Sequence, residues 1–185
     1  MFNFRSAYTF RTLILIAFLG LSLISPAQTA PAKENQADLK KTDTTTPVSF
    51  PEAKGWVNDF EEVLDSVTEA KLTKLIVDHN QKTSNQISIV TISSIAPYDY
   101  LSDYARDLSN AWGVGEKDKN NGVTIIYSKA MHEVRIATGT GIEKKLNDAA
   151  CQKIVDELMI PPFKKGDYGK GLIDGVTELI RLLEK

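Results

Sequence analysis

The chain has 185 residues, 42% hydrophobic and 25% charged, with 22 Lys and Arg against 24 Asp and Glu. That balance describes an ordinary folded domain and excludes collagen-like, wholly disordered and many-span membrane chains. A formal charge of −2 offers nucleic acid no electrostatic attraction, and the single cysteine, Cys151, can form neither an internal disulfide nor a thiolate metal cage.

Arg5 and Arg11 are the only charges before Lys33, and an apolar run, Leu13 to Ile24, lies between Arg11 and Lys33. As a helix that run is about 18 Å long, short of the ~30 Å hydrocarbon core. Ser25-Pro26-Ala27 follows, with small residues at the −3 and −1 positions of a cut after Ala27. Basic, apolar and small-residue regions in this order predict a secretory signal peptide over 1–27, and hence a periplasmic or secreted protein with no transmembrane span in its mature chain. An anchor left uncleaved is the alternative. Residues 28–54, rich in Thr, Ala, Pro and scattered charge, lack apolar periodicity and are expected to form a flexible linker. The folded domain is then 55–185.

Ser66-Val67-Thr68-Glu69 has the spacing of a capping box, and Leu72, Leu75, Ile76 and His79 recur at helical intervals, so a helix is predicted over 67–82. Gln86–Ser94 is β-branched and reads as a strand. Leu101, Tyr104, Ala105, Leu108 and Trp112 form a second helical stripe that Gly113 and Gly115 stop. Gly122–Ser128 reads as a strand buried on both faces, and Glu133–Thr138 as an alternating one paired with it in an antiparallel hairpin. A helix beginning near Asn147 or Asp148 buries Cys151, Ile154, Val155, Leu158 and Met159. A last one turns Leu172, Val176, Leu179, Ile180 and Leu183 inward. The order α-β-α-β-β-α-α predicts a three-layer α/β/α sandwich with a small mixed sheet.

Strand direction then locates the chemistry. The segment 113–121 enters the middle strand, and the loop 139–143 leaves the antiparallel strand at the same sheet edge. Asp59, ahead of the first helix on an extended stretch, is expected to reach back to these loops. Asp59, Glu116, Asp118, Glu143 and Asp148 would gather there with the amides of Asn120 and Asn121. Carboxylates and amide oxygens without paired His or Cys suit a hard cation, Ca²⁺ or Mg²⁺. Solvated loop acids are the competing reading, with Asp148 complementing the helix it begins. His79 is expected at the core edge, His132 in a turn and Cys151 as a packed thiol. No serine stands in a G-x-S-x-G elbow, and no catalytic triad can be assembled.

Val57-Asn58-Asp59 with Leu64, Trp112-Gly113-Val114-Gly115, Asn120-Asn121-Gly122-Val123, Val134-Arg135-Ile136, Gly139-Thr140-Gly141-Ile142-Glu143, and Leu146-Asn147-Asp148 stand in fixed order, closed by Pro162-Phe163 and Gly166-Asp167-Tyr168. In this the chain, from about Gly55 to Leu183, resembles the TPM domain family of exported bacterial and thylakoid-lumen proteins, the latter linked to photosystem II repair. The resemblance implies an α/β/α sandwich and divalent-cation binding at the acidic loops. It matches Asp59, Glu143 and Asp148 to the family's acidic positions, and Asp118 to the loop between two motifs. It further implies a non-catalytic binding or maintenance module for membrane-protein complexes of the envelope. Metal-dependent acid phosphatase activity, attributed to plant members, is the alternative. Asn147 stands where proline is common. The sequence ends at Lys185 without the downstream span and Gly-rich tail of many bacterial members, so no role tied to such an anchor is carried over.

Overall fold

The structure, a computed structural model, describes residues 48–185. The signal peptide and most of the linker therefore lie outside the described residues. Packing begins before Gly55. The Phe50 ring meets Tyr104 edge-on at 5.3 Å between centroids, and the Pro51 carbonyl accepts from Trp112 Nε1 at 2.9 Å.

Four strands form one sheet in the order β1-β2-β3-β4: β1 (Val57–Asp59), β2 (Gln86–Thr91), β3 (Gly122–Ser128) and β4 (Glu133–Thr138). β1, β2 and β3 are parallel, and β4 returns antiparallel to β3 with Ile125 opposite Ile136. β3, buried along its whole length, is the central strand that its unbroken apolar run predicts. The hairpin and the parallel pair match the sequence expectation. β1 does not: three residues carry no readable alternation, and only pairing with β2 makes Val57-Asn58-Asp59 a strand.

Alternation along β2 and β3 builds two cores. Ile87, Ile89, Val123 and Ile125 face α1 (Ser66–Thr83) and α5 (Tyr168–Leu183), where Leu72, Ile76, Val176 and Leu179 are fully buried. Val90 and Ile126 face α2 (Leu101–Trp112), against Leu101, Tyr104 and Leu108. The predicted three layers follow. Both crossovers step the same way across the sheet yet lie on opposite faces, so the β1-α1-β2 and β2-α2-β3 units have opposite hands.

Helix ends refine the sequence expectation. Asp65 caps α1 in place of Ser66, its carboxylate accepting from Thr68 N at 2.7 Å. A carboxylate both accepts that bond and complements the helix dipole, which a hydroxyl does not. Asn147 caps α3 (Asp148–Ile154) through Oδ1 on Ala150 N at 2.9 Å. From α3 the helix passes through a π turn (Val155–Met159) into α4 (Ile160–Phe163). The expected third helix is therefore one path with a wide turn in it.

Candidate functional site

At the edge where β2 and β3 begin, the loops 113–121 and 139–143 touch backbone to backbone. Gly141 N donates to Asn120 O at 3.0 Å, and Gly139 N to Gly122 O at 2.8 Å. A Cβ on Gly141 would lie 1.8 Å from Lys119 O, and one on Gly122 2.1 Å from Val114 O. These glycines are there because two main chains meet with no room for a side chain. Asn121, buried, ties the arrangement together. Its Oδ1 accepts from Glu116 N at 2.8 Å, and its Nδ2 donates to Ser84 O at 3.0 Å.

The packed loops hold Glu143 and Asp148 at the mouth of a cleft of about 250 Å³ between α2 and β4. Ser109, Thr124, Ala137 and Gly139 line it with small groups, and Arg106 and Arg135 bring guanidinium groups. Ser109 Oγ lies 2.5 Å from the Ala105 carbonyl oxygen, to which it donates, and 2.7 Å from Thr124 Oγ1. Its proton is thus engaged in structure. Arg106 is paired with Asp103 at 2.8 Å and Asp107 at 2.9 Å. Arg135, Glu143 and Asp148 make no ion pair or side-chain hydrogen bond among the described residues, although all three line the same cleft. Unneutralised charges of both signs over a floor of small groups suit a ligand that carries both charge and backbone-like polarity.

The other acidic residues are placed differently. Glu116 lines no part of the cleft and pairs with Lys119 at 2.9 Å, a bond that holds its carboxyl below the ordinary value. Asp118 is exposed on the loop shoulder, and Asn120 lines the cleft. Asp59 corrects the sequence expectation outright. It ends β1 opposite Thr91, at the far edge of the sheet, about 16 Å along the strands from the Gly122 edge at ~3.3 Å per residue. There its carboxylate accepts from Leu64 N at 2.7 Å and from the Thr91 hydroxyl, fixing the turn into α1. A stretch that might have reached back is instead consumed as a strand parallel to β2.

The far edge is closed by packing. Tyr127 stacks on Phe163 at 4.6 Å and on Tyr168 at 5.3 Å, and burial pushes its phenol well above the ordinary range. Pro162-Phe163 and Gly166-Asp167-Tyr168 thus serve the core. Cys151, buried against the same core as Ile154, is the packed thiol that its stripe predicts, and His79, also buried, reaches Glu184 Oε1 at 3.1 Å. Among the described residues no cluster of three or more His, Cys, Asp or Glu side chains could hold a metal ion, and no helix is long and apolar enough to cross a membrane. Sequence reading missed Arg135, which it took as one charged position of an alternating strand. The available signal was an arginine centred in the last strand of the sheet.

A family model for the TPM domain matches residues 57–182. No curated protein matches the chain. Among solved structures, the N-terminal domain of a protein from P. gingivalis is 29% identical, with a TM-score of 0.65 over 70% of this chain and 82% of that one. BA42 from the psychrophilic bacterium Bizionia argentinensis is 22% identical, with a TM-score of 0.58 over 67% of this chain and 83% of its own. The N-terminal domain of cg2496 from Corynebacterium glutamicum is 16% identical, with a TM-score of 0.55 over 72% and 84%. The last two speak for the fold alone. With the family model spanning nearly all of the packed chain, and the motif glycines and aromatic residues accounted for by its packing, this chain belongs to the TPM domain family.

Proposed function

We propose that this protein is an exported, non-catalytic binding module that serves membrane-protein complexes of the envelope through the cleft between α2 and β4. The observation that carries this reading is the set of unpaired charges there, Arg135 against Glu143 and Asp148, over a floor of small side chains. The cleft's groups bind rather than react: guanidinium, carboxylate, amide, and a serine hydroxyl already committed to a carbonyl. Glu143 and Asp148, with water and loop carbonyl oxygens, would hold one Ca²⁺ or Mg²⁺ loosely at the mouth. Two carboxylates suffice for a hard cation that keeps part of its hydration shell, and the cation would relieve their mutual repulsion. Asp59 takes no part, because both its oxygens are engaged at the far edge. Asp118 would add long-range attraction only.

A second reading draws on Arg135. A guanidinium facing two carboxylates could bind a phosphate ester while a cation between the carboxylates supplied Lewis-acid polarisation. Turnover of an aryl phosphate in Ca²⁺ or Mg²⁺ that disappears in Glu143→Gln would replace the non-catalytic reading with this one.

The cation is tested by thermal unfolding after chelation, titrated with Ca²⁺ and separately with Mg²⁺. A saturable rise is expected, worth ~2.7 kcal/mol at a hundredfold excess over the dissociation constant. Glu143→Gln and Asp148→Asn should each abolish it and Asp59→Asn should not. A flat titration with both ions would sink the cation.

A further inference from the structure

We propose that the cleft between α2 and β4 seats a basic α-amino acid, a small ligand with two ammonium groups and one carboxylate. The inference rests on the binding reading of the cleft, whose ligand class it names, and not on the cation. Among the described residues, the charged side chains that line the cleft without an ion pair are Arg135, Glu143 and Asp148. Arg106 lines it too, but Asp103 and Asp107 hold its guanidinium. One free positive charge against two negative ones is complemented by a ligand of the opposite count. Charges just outside the cleft tilt the balance the same way. Glu133, exposed two residues before Arg135 on the same strand face, lines no part of the cleft and adds negative potential. Lys145 is bound to the Leu183 carbonyl at 2.7 Å, and Lys144 lines no part of the cleft.

The three charges differ in position. Arg135 and Asp148 border both the cleft and a second hollow of about 260 Å³ between β4 and α3, whereas Glu143 borders the cleft alone. Asp148 pushes the Cys151 thiol up and Arg135 pulls it down, as two charges on one flank would. These neighbours make no ion pair with each other, and an α-amino acid head fits between them. Its carboxylate would take the guanidinium and its α-ammonium the Asp148 carboxylate. Glu143 belongs to the loop that leaves β4. Arg135 precedes Gly139, where that loop begins, by about 13 Å of strand at ~3.3 Å per residue. A flexible stem of methylene groups would carry the second ammonium toward Glu143 over Thr124, Ala137 and Gly139, which are too small to obstruct it.

A simple anion fits less well, because Arg135 alone would attract it against Glu143, Asp148 and Glu133. A divalent cation would use Glu143 and Asp148 and leave Arg135 without a counter-charge. Cation and amino acid would take the same carboxylate oxygens, so each excludes the other.

The test titrates the full chain, free of divalent cations, with lysine and with three analogues that each lack one charge: lysine amide, ε-aminocaproate and norleucine. Amide NMR shifts are followed. Saturable shifts are expected at Gly139, Glu143 and Asp148, with lysine bound about fivefold tighter than each analogue, the worth of one part-exposed ion pair. Each discrimination should vanish with its partner: against lysine amide in Arg135→Met, against ε-aminocaproate in Asp148→Asn, and against norleucine in Glu143→Gln. All three side chains are exposed, so the variants should keep the fold, which the same spectra report. Silence of those amides toward lysine overturns the proposal, as does an analogue that binds as tightly as lysine. A discrimination that survives the loss of its partner overturns it too. Silence toward lysine beside an intact Ca²⁺ or Mg²⁺ response would remove the amino acid alone. Loss of both would remove the binding reading as well.

Discussion

Asp59, Gly141 and Cys151 show how differently residues within motifs are used. Asp59→Ala removes acceptors for Leu64 N and the Thr91 hydroxyl, leaving the amide unpaired in a partly buried turn. The expected cost is about 1–3 kcal/mol in urea unfolding. Gly141→Ala must drive the two loops apart, since its Cβ would lie 1.8 Å from Lys119 O. Destabilisation of at least ~1–3 kcal/mol is expected, together with weakened cation stabilisation, because the same contact positions Glu143. Burial, and secondarily the Asp148 charge, push the Cys151 thiol up to about 11. It is therefore protonated at neutral pH, and although Cys151 lines the hollow between β4 and α3, a thiol reagent should label it far more slowly than a free thiol until urea unfolds the chain. Labelling of the native protein at the rate of a free thiol would contradict that packing.

At the scale of elements, α1 and α2 each depend on an acid. Thr68 N–H holds the Asp65 carboxyl below its ordinary value of 3.8, and the Arg106 bond, with help from Tyr98, does the same for Asp107 in α2. Groups depressed in the folded state contribute stability that is complete above their unfolded pKa. It is lost as pH falls through the folded values. The urea midpoint should therefore hold from neutrality to about pH 5 and drop on acidification below 4, with a shallower drop in Asp65→Asn. An identical acid limb in that variant would remove Asp65 from the account. α1 and α2 were readable because their apolar stripes recur at helical spacing and meet the sheet. The π turn was not, since Val155–Met159 keeps an apolar stripe compatible with an ordinary helix.

The described residues form two cores sharing one sheet, and β3 gives Ile125 to one and Ile126 to the other. Neither face can stay packed once β3 leaves, so unfolding should be a single transition. Each core has its own reporter: Trp56 packs on the α1 side and Trp112 on the α2 side. Fluorescence of Trp56→Phe and Trp112→Phe should give coincident urea curves after correction for each variant's stability. Ile125→Ala and Ile126→Ala should each lower both signals together, by about 2–5 kcal/mol. Curves that separate would make the faces independent units.

Local pattern by itself determined the order and type of the long elements, the antiparallel hairpin, the sandwich class and the family. Those rest on periodicity over many residues and on motifs in fixed order, which act along the chain. Only the tertiary structure decided the rest. β1 exists because β2 offers it partners, and Asp59 lies at the far edge because that pairing leaves no chain to carry it back. Glu143 and Asp148 share a cleft because glycines let two loops meet, and strand order brings Arg135 of β4 to the same cleft. Each of these is a contact between residues far apart in sequence, set by strand order and loop packing, which no local period encodes.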